Sequence, residues 1–101
     1  MKTLYYVKVG FREPTKIVVI KEVFGIPLFV KVLNFSHVLS SDIVEICKDF
    51  QQKAKNKQSI AFTADSDTFK SYLSENGIEN VIRVSKELEQ RVLEFIKKEE
   101  K

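Results

Sequence analysis

The first 35 residues of this chain show only the hydrophobic pattern of β-strands, which limits the folds open to a sequence of 101 residues. Along Leu4–Phe11, alternate side chains are apolar, as expected for a strand with one buried face. Pro14 interrupts the pattern, because proline cannot donate a hydrogen bond to a strand ladder. Two further strands are predicted at Lys16–Phe24 and Leu28–Phe35, and the Gly- and Pro-containing turn between them predicts a hairpin. Three antiparallel strands therefore begin the predicted fold.

Three amphipathic helices are predicted in the remainder of the sequence. The first begins at Ser40–Asp42, since these are N-cap residue types and Glu45 stands three positions after Asp42, as in a capping box. Asp65 is a suitable cap for the second helix and Ser85 for the third. Their apolar stripes consist of Ile43, Ile46, Cys47, Phe50 and Ala54, then Phe69, Tyr72 and Leu73, then Leu88, Val92, Phe95 and Ile96.

Two short apolar strands, Ser59–Ala64 and Ile78–Val84, separate these helices. A strand, helix, strand unit of this length is nearly always a right-handed crossover between parallel strands of one sheet. The order βββαβαβα therefore predicts a single α/β domain over residues 1–101, with a mixed sheet of about five strands. The single apolar stripe on each helix predicts that the helices lie mainly on one face of this sheet. The other face would then be open to solvent or to a partner.

Composition excludes several classes of protein. The chain is 44% apolar and 31% charged, which is typical of a globular domain, and no apolar run is long enough to span a membrane. The amino terminus lacks a signal-peptide pattern, so we expect a cytoplasmic protein. One cysteine and one histidine cannot supply a disulfide or a structural zinc site, and three scattered glycines cannot build a nucleotide-binding loop. The abundance of Lys, Glu, Ile and Val is compatible with a thermophilic source.

Few residues point to catalysis. Asp65 and Asp67 follow a predicted parallel strand, where open α/β sheets often bind metals or phosphates, but the favoured interpretation is that Asp65 caps the helix and Asp67 complements the helix dipole. His37 is an acid–base candidate without a recognisable nucleophile near it in the sequence, and Cys47 lies on an apolar helix stripe. We therefore expect a protein that is not an enzyme and needs no metal or cofactor. An enzymatic site built from Asp65, Asp67 and His37 is the least favoured alternative.

The charge distribution is the most informative feature for function. Through Gln58 there are ten Lys or Arg residues and five Asp or Glu residues, whereas the rest of the chain has seven and nine. A basic amino-terminal half predicts contact with a polyanion, with lysines on phosphates and a tyrosine ring stacked on a base. An ordinary solvated face would show the same lysines. The residues predicted to bind nucleic acid are Tyr6, Lys8, Lys21, Lys31, Lys53, Lys55 and Lys57.

The favoured hypothesis is a small, basic, non-catalytic binding protein that contacts RNA or a ribonucleoprotein such as the ribosome. The alternative is a protein–protein module or homodimer without a nucleic-acid role. In that alternative, apolar residues of the open sheet face such as Leu4 and Ile17 would be buried against a partner. No membrane partner is expected.

Overall fold

The computed structural model describes residues 2–10, 12–36 and 39–100, with every side chain in these ranges except that of Lys57. It contains five strands and three α-helices in the predicted order. The elements are β1 (Lys2–Lys8), β2 (Thr15–Val23), β3 (Ile26–Phe35), α1 (Ser40–Lys53), β4 (Ile60–Ala64), α2 (Asp67–Glu75), β5 (Val81–Arg83) and α3 (Lys86–Glu99).

All five strands form one mixed sheet with the order β3-β2-β1-β4-β5. The first three strands are antiparallel neighbours, whereas β4 runs parallel to both β1 and β5. The predictions of a mixed sheet, of an antiparallel amino-terminal unit and of a parallel crossover through α2 are therefore confirmed. None of the helices in the described part of the chain has the length and apolar character of a membrane span.

Helices α1 and α2 cover one face of the sheet. The buried residues between these helices and the strands include Val7, Ile17, Cys47, Phe62 and Leu73. Aromatic rings join the layers, since Tyr5 of β1 stacks on Phe50 of α1 with ring centroids 4.5 Å apart. Each fully buried aliphatic or aromatic side chain of this kind stabilises the fold by roughly 1.5–3 kcal/mol.

Helix α3 covers the opposite face, which we call the α3 face. It buries Leu4, Tyr6, Val18 and Ile20 of β1 and β2 against Val92 and Ile96. Two of the three helices do lie on one face, but the expectation of an open second face is wrong. Both faces of the sheet can be buried because β1 and β2 direct apolar side chains to each of the two faces.

Several predicted boundaries shift by a few residues. Asp42 is not the cap of α1 but the third residue of the helix, where its carboxylate accepts a hydrogen bond from the Leu39 N–H at 2.8 Å. Ser66 rather than Asp65 caps α2, accepting from the Phe69 N–H at 3.1 Å. Strand β5 begins later than predicted because Asn80 has a φ of 54°, which an extended strand does not permit. Strand β1 ends at Lys8, and Phe11, the last residue of the first predicted strand, lies outside the described residues.

Candidate nucleic-acid interface

The lysines predicted to share an open sheet face lie on both faces. Lys8 is paired in register with Lys16, and Lys16 reaches Glu100 after α3, so both are on the α3 face. Lys21 is four residues after the buried Ile17 on the same strand, so both side chains lie on the α1–α2 side. Lys31 stands opposite Val19, two residues after Ile17, and therefore lies on that side as well. Lys8, Lys21 and Lys31 cannot form one continuous basic sheet face.

Two of the predicted lysines already have carboxylate partners. The Nζ atom of Lys8 is 3.1 Å from Oε1 of Glu13, and this hydrogen bond holds the pKa of Glu13 below its usual value. The Nζ atom of Lys53 lies 2.9 Å from Asp49 one helical turn earlier. Both pairs are exposed enough to exchange a carboxylate for a phosphate at little cost.

Tyr6 was predicted to stack on a base, and the structure places its ring inside the protein instead. Only 1% of the residue is exposed, because α3 packs over β1 at this position. Burial, with smaller contributions from Glu89 and Asp65, raises the pKa of its hydroxyl well above the usual value. A base cannot reach this ring without displacing α3.

A groove lies at the edge of the sheet where β1 and β4 begin, and its described lining contains none of the residues predicted to bind nucleic acid. We call it the amino-end groove; its volume is about 460 Å³, and it is lined by Lys2, Glu22, Val23, Phe24, Gly25, Gln58 and Ser59. Lys21 is not in the described lining; it donates a hydrogen bond to the Thr3 hydroxyl at 2.9 Å on the α1–α2 side of the sheet. The described lining carries one ammonium group, from Lys2, and one carboxylate, from Glu22, so it has no excess of positive charge.

Phe24 stands at the rim of this groove and is completely exposed. It forms the hairpin turn with Gly25, and the positive φ angles of the two residues, 51° and 77°, are those of a type I′ turn. This conformation is unfavourable for phenylalanine. The hydrophobic pattern predicts a strand that ends at Phe24, whereas the structure places this residue in the turn. The Phe24-Gly25 pair is the signal for the turn, since an aromatic ring next to glycine in a tight turn cannot reach the core.

The segment after α1 forms the wall of the amino-end groove. Asn56 shapes it, because its side chain accepts from the Gln58 N–H at 2.9 Å and its carbonyl from the Ser59 N–H at 3.0 Å. Lys55 is exposed immediately before Asn56. The side chain of Lys57 lies outside the described residues. Among the residues predicted from the sequence, Lys21 and Lys55 are near the lining residues Glu22 and Gln58 in the chain, but neither is in the described lining.

A second pocket lies at the opposite edge, where β4 ends. It has a volume of about 520 Å³ and is lined by Val9, Ser40, Asp65, Ser66, Thr68, Phe69 and Tyr72. Asp65 lines it, whereas Asp67 forms an ion pair with Arg83 at 3.3 Å. Within the described ranges no group of three or more His, Cys, Asp or Glu side chains could hold a metal ion. His37, the third member of the enzymatic alternative, lies outside these ranges.

Comparison with known proteins relates the chain to others by fold alone. No protein-family model and no curated protein matches it. Two solved structures of the large terminase from a thermophilic bacteriophage, in different crystal forms, are similar, each with a TM-score of 0.64 and 18% sequence identity. The similarity covers 83% and 84% of this chain and 23% of the terminase chain. At this identity the shared feature is the arrangement of strands and helices, and no residue role is transferred.

The apolar residues named for the homodimer alternative belong to the core. Leu4 and Ile17 are 4% and 0% exposed. The structure instead exposes a different apolar row on β3, formed by Ile26, Leu28 and Val30, which we call the β3 stripe. The sequence pattern missed this row because an edge strand and an interior strand of a hairpin have similar apolar alternation.

Proposed function

We propose that this domain is a non-catalytic RNA-binding module that holds a single-stranded segment in the amino-end groove. The observation that carries the proposal is the fully exposed ring of Phe24 at the rim of a groove that also carries Lys2. Base stacking on an aromatic ring contributes about 1–3 kcal/mol per base and tolerates any sequence. Lysines beside such a ring neutralise the phosphates that flank the stacked base. A ribonucleoprotein, the ribosome included, is a natural setting for a small basic domain of this kind.

The conformation of Phe24 also supports a ligand-binding role. A fully exposed aromatic ring gains no burial energy, and a positive φ costs phenylalanine about 1 kcal/mol or more. Asparagine or glycine would suit this turn position better for folding. A residue that lowers stability at an exposed site is more readily explained by contact with a ligand than by packing. The fold shared with a segment of a phage large terminase is compatible with this proposal.

The first test separates RNA binding from stability by replacing Phe24 with asparagine. Phe24→Asn removes the stacking ring and creates an Asn-Gly pair, the preferred sequence of a type I′ turn. Binding to a fluorescently labelled, mixed-sequence single-stranded RNA of about 12 nucleotides, within the usual range of such sites, is measured by anisotropy. We expect affinity to fall by roughly 5- to 100-fold, the equivalent of removing one stacked base. Unchanged affinity would exclude Phe24 from the interface.

The second test measures the electrostatic part of binding. Replacing Lys2, Lys21 and Lys55 together by Gln should flatten the log–log dependence of affinity on salt by about 0.7 for each phosphate group that the protein no longer neutralises. The matched control replaces three exposed lysines of α3, Lys86, Lys97 and Lys98, by Gln, which changes net charge equally. Equal effects of the two triple variants would show that only total charge matters. If the wild-type protein binds neither RNA nor single-stranded DNA, the proposed function is wrong.

A further inference from the structure

A further pocket lies between the first turns of α3 and the β2–β3 hairpin, and we call it the α3 pocket. Its volume is about 310 Å³, at the lower end of the range of roughly 300–1,000 Å³ that is usual for ligand pockets in proteins. This size suits a small ligand. The lining residues that bear on its chemistry are Leu4, Glu22, Pro27, Glu87, Leu88 and Arg91.

One wall of the α3 pocket is apolar. Leu4 of β1 is buried in the core of the α3 face, and Leu88 of α3 packs against the same core. Glu22 follows the buried Ile20 on β2 by two residues, so its side chain also lies on the α3 face. Pro27 of β3 stands opposite Glu22 in register and adds a third apolar side chain to the pocket. An aliphatic group can therefore be buried here.

The guanidinium group of Arg91 is oriented at this pocket by aromatic rings. Its Cζ atom lies 5.3 Å from the centroid of the Phe29 ring, and that ring stacks on Phe95 with centroids 5.4 Å apart. A guanidinium group over a ring keeps its in-plane N–H donors available for a ligand. Glu87, one turn earlier on α3, has the i, i+4 spacing that favours an ion pair with Arg91. In the described part of the chain, Arg91 nevertheless forms no ion pair.

The two carboxylates of the α3 pocket also have no ion-pair partner among the described residues. Glu87 is exposed in the first turn of α3, and Glu22 is half-buried on β2. The pocket thus presents charges of both signs beside an apolar wall, and these charges do not pair with each other. A ligand with a carboxylate and an ammonium group would supply a charge-assisted hydrogen bond to each of them.

We propose that the α3 pocket binds a free α-amino acid with an aliphatic side chain. Arg91 holds the carboxylate of the ligand through two parallel N–H donors, a geometry that the guanidinium group matches. Glu22 and Glu87 accept hydrogen bonds from the ammonium group of the ligand. The aliphatic side chain of the ligand lies against the apolar wall. This site goes beyond the proposed RNA contact, because neither Phe24 nor Lys2 is in its described lining.

The charges of the pocket disfavour other classes of small ligand. An inorganic anion would meet Arg91 but also two carboxylates, and a simple alkylamine would place a second positive charge beside an unpaired Arg91. A neutral hydrocarbon would remove the charged groups from water without offering them a hydrogen bond. A zwitterion with an apolar side chain matches the guanidinium group, the carboxylates and the apolar wall together.

The first experiment compares leucine with two analogues that each lack one charge. The full chain, isotope-labelled and without RNA, is titrated with leucine, leucinamide and N-acetylleucine, and amide chemical shifts are followed by NMR. We expect saturable shifts around Leu88 and Arg91 with leucine at concentrations up to about 10 mM. Each analogue should bind about tenfold or more weakly, because it loses one set of charge-assisted hydrogen bonds. No saturable binding of leucine, or equal affinity for leucine and either analogue, would overturn the proposal.

The second experiment tests the contact between Arg91 and the carboxylate of leucine. Arg91→Gln should lower the affinity for leucine about tenfold or more and leave that for leucinamide unchanged, since the amide carries no carboxylate. The matched control Arg12→Gln changes an exposed arginine outside the described lining and should leave both affinities unchanged. If Arg91→Gln affects both ligands equally or neither, with an unchanged circular dichroism spectrum, Arg91 does not hold the carboxylate.

Glu87→Gln should give the opposite pattern. The variant should weaken binding of leucine and of leucinamide, which both carry an ammonium group, and leave binding of N-acetylleucine unchanged. Glu94→Gln, at an exposed glutamate elsewhere on α3, is the matched control and should alter none of the three affinities. An effect of Glu87→Gln no larger than that of Glu94→Gln would remove Glu87 from the site. Because none of these measurements uses RNA, their outcome is separate from that of the proposed function.

Discussion

Lys16 on β2 forms an ion pair with Glu100, the residue that follows α3. The Lys16 ammonium group also donates a hydrogen bond to the Asn34 side chain on β3 at 3.2 Å. The Lys16 side chain is only 8% exposed, whereas that of Glu100 is 47% exposed. This contact attaches the end of α3 to the antiparallel strands β2 and β3.

We predict unequal costs for removing the two partners of this pair. Glu100→Gln leaves a buried ammonium group with weaker compensation and should destabilise the fold by about 1–2 kcal/mol. Lys16→Met keeps the apolar stem, removes the buried charge and should cost less than Glu100→Gln. Urea denaturation of both variants measures the difference. A greater destabilisation by Lys16→Met than by Glu100→Gln would mean that the attraction between the two charges exceeds the free energy lost by removing the Lys16 ammonium group from water.

Gly10 is required by the tight turn between β1 and β2. A Cβ at this position would lie 2.2 Å from the Glu13 carbonyl oxygen and 2.7 Å from that of Pro14. Because backbone atoms cannot move aside cheaply, Gly10→Ala should cost about 2–3 kcal/mol. Gly25→Ala is the matched control: its φ of 77° strains alanine, but nothing lies nearby, so about 1 kcal/mol is expected. Equal thermal stabilities of the two variants would contradict this prediction.

Cys47 should be inert to thiol reagents in the folded protein. Burial between α1 and the sheet raises the pKa of its thiol to about 12 from 9.0. Labelling with iodoacetamide at about pH 8, below the ordinary thiol pKa, should therefore follow global unfolding and accelerate in denaturant. Rapid labelling of the native protein would show that α1 opens locally.

The same pKa shift predicts the alkaline stability of the fold. Above about pH 9, the unfolded chain can ionise Cys47 while the folded chain keeps the thiol protonated, so stability falls as pH rises from 9 towards 12. Tyr6 contributes in the same direction at higher pH, because burial also raises its pKa. Urea midpoints measured from about pH 8 to the alkaline limit should decline less steeply for Cys47→Ala than for the wild type. Parallel curves would exclude a contribution from this thiol.

Phe24→Asn should stabilise the protein, although it is expected to weaken RNA binding. The substitution relieves a positive φ at an exposed turn, which is worth about 0.5–1 kcal/mol, and removes no packing. Thermal melting of the variant and the wild type at matched concentration checks the sign. A lower melting temperature would mean that the ring makes a stabilising contact.

Much of the fold could be read from local patterns. Alternation in Leu4–Phe11 and the three helical stripes predicted the order of elements, and the short crossover through α2 predicted parallel strands. Turn and cap chemistry identified boundaries to within a few residues. The stop at Gly77, with a φ of 88°, is one of these.

The candidate site was less accessible to the same reasoning. Period-two alternation assigned Lys8 and Tyr6 to the same side of β1 but did not reveal that α3 covers that side. The amino-end groove forms because the end of β2 and the segment after α1 meet near the start of β4, although these residues are far apart in the chain. Phe24 became recognisable only when the φ angles of the turn were known.

Hydrophobic periodicity and cap residues were thus sufficient to specify which segments are strands and helices, because both depend on interactions within a few residues. The placement of α3 over Tyr6, the exposed edge of β3 and the assembly of the amino-end groove depend on packing between distant segments. An amphipathic stripe predicts that a helix buries one of its sides. It does not predict which face of the sheet the helix packs on when the strands have apolar residues on both faces. Packing of Val92 and Ile96 on β1 and β2 holds α3 on the second face, and Lys16 with Glu100 adds an ion pair between residues from distant parts of the chain.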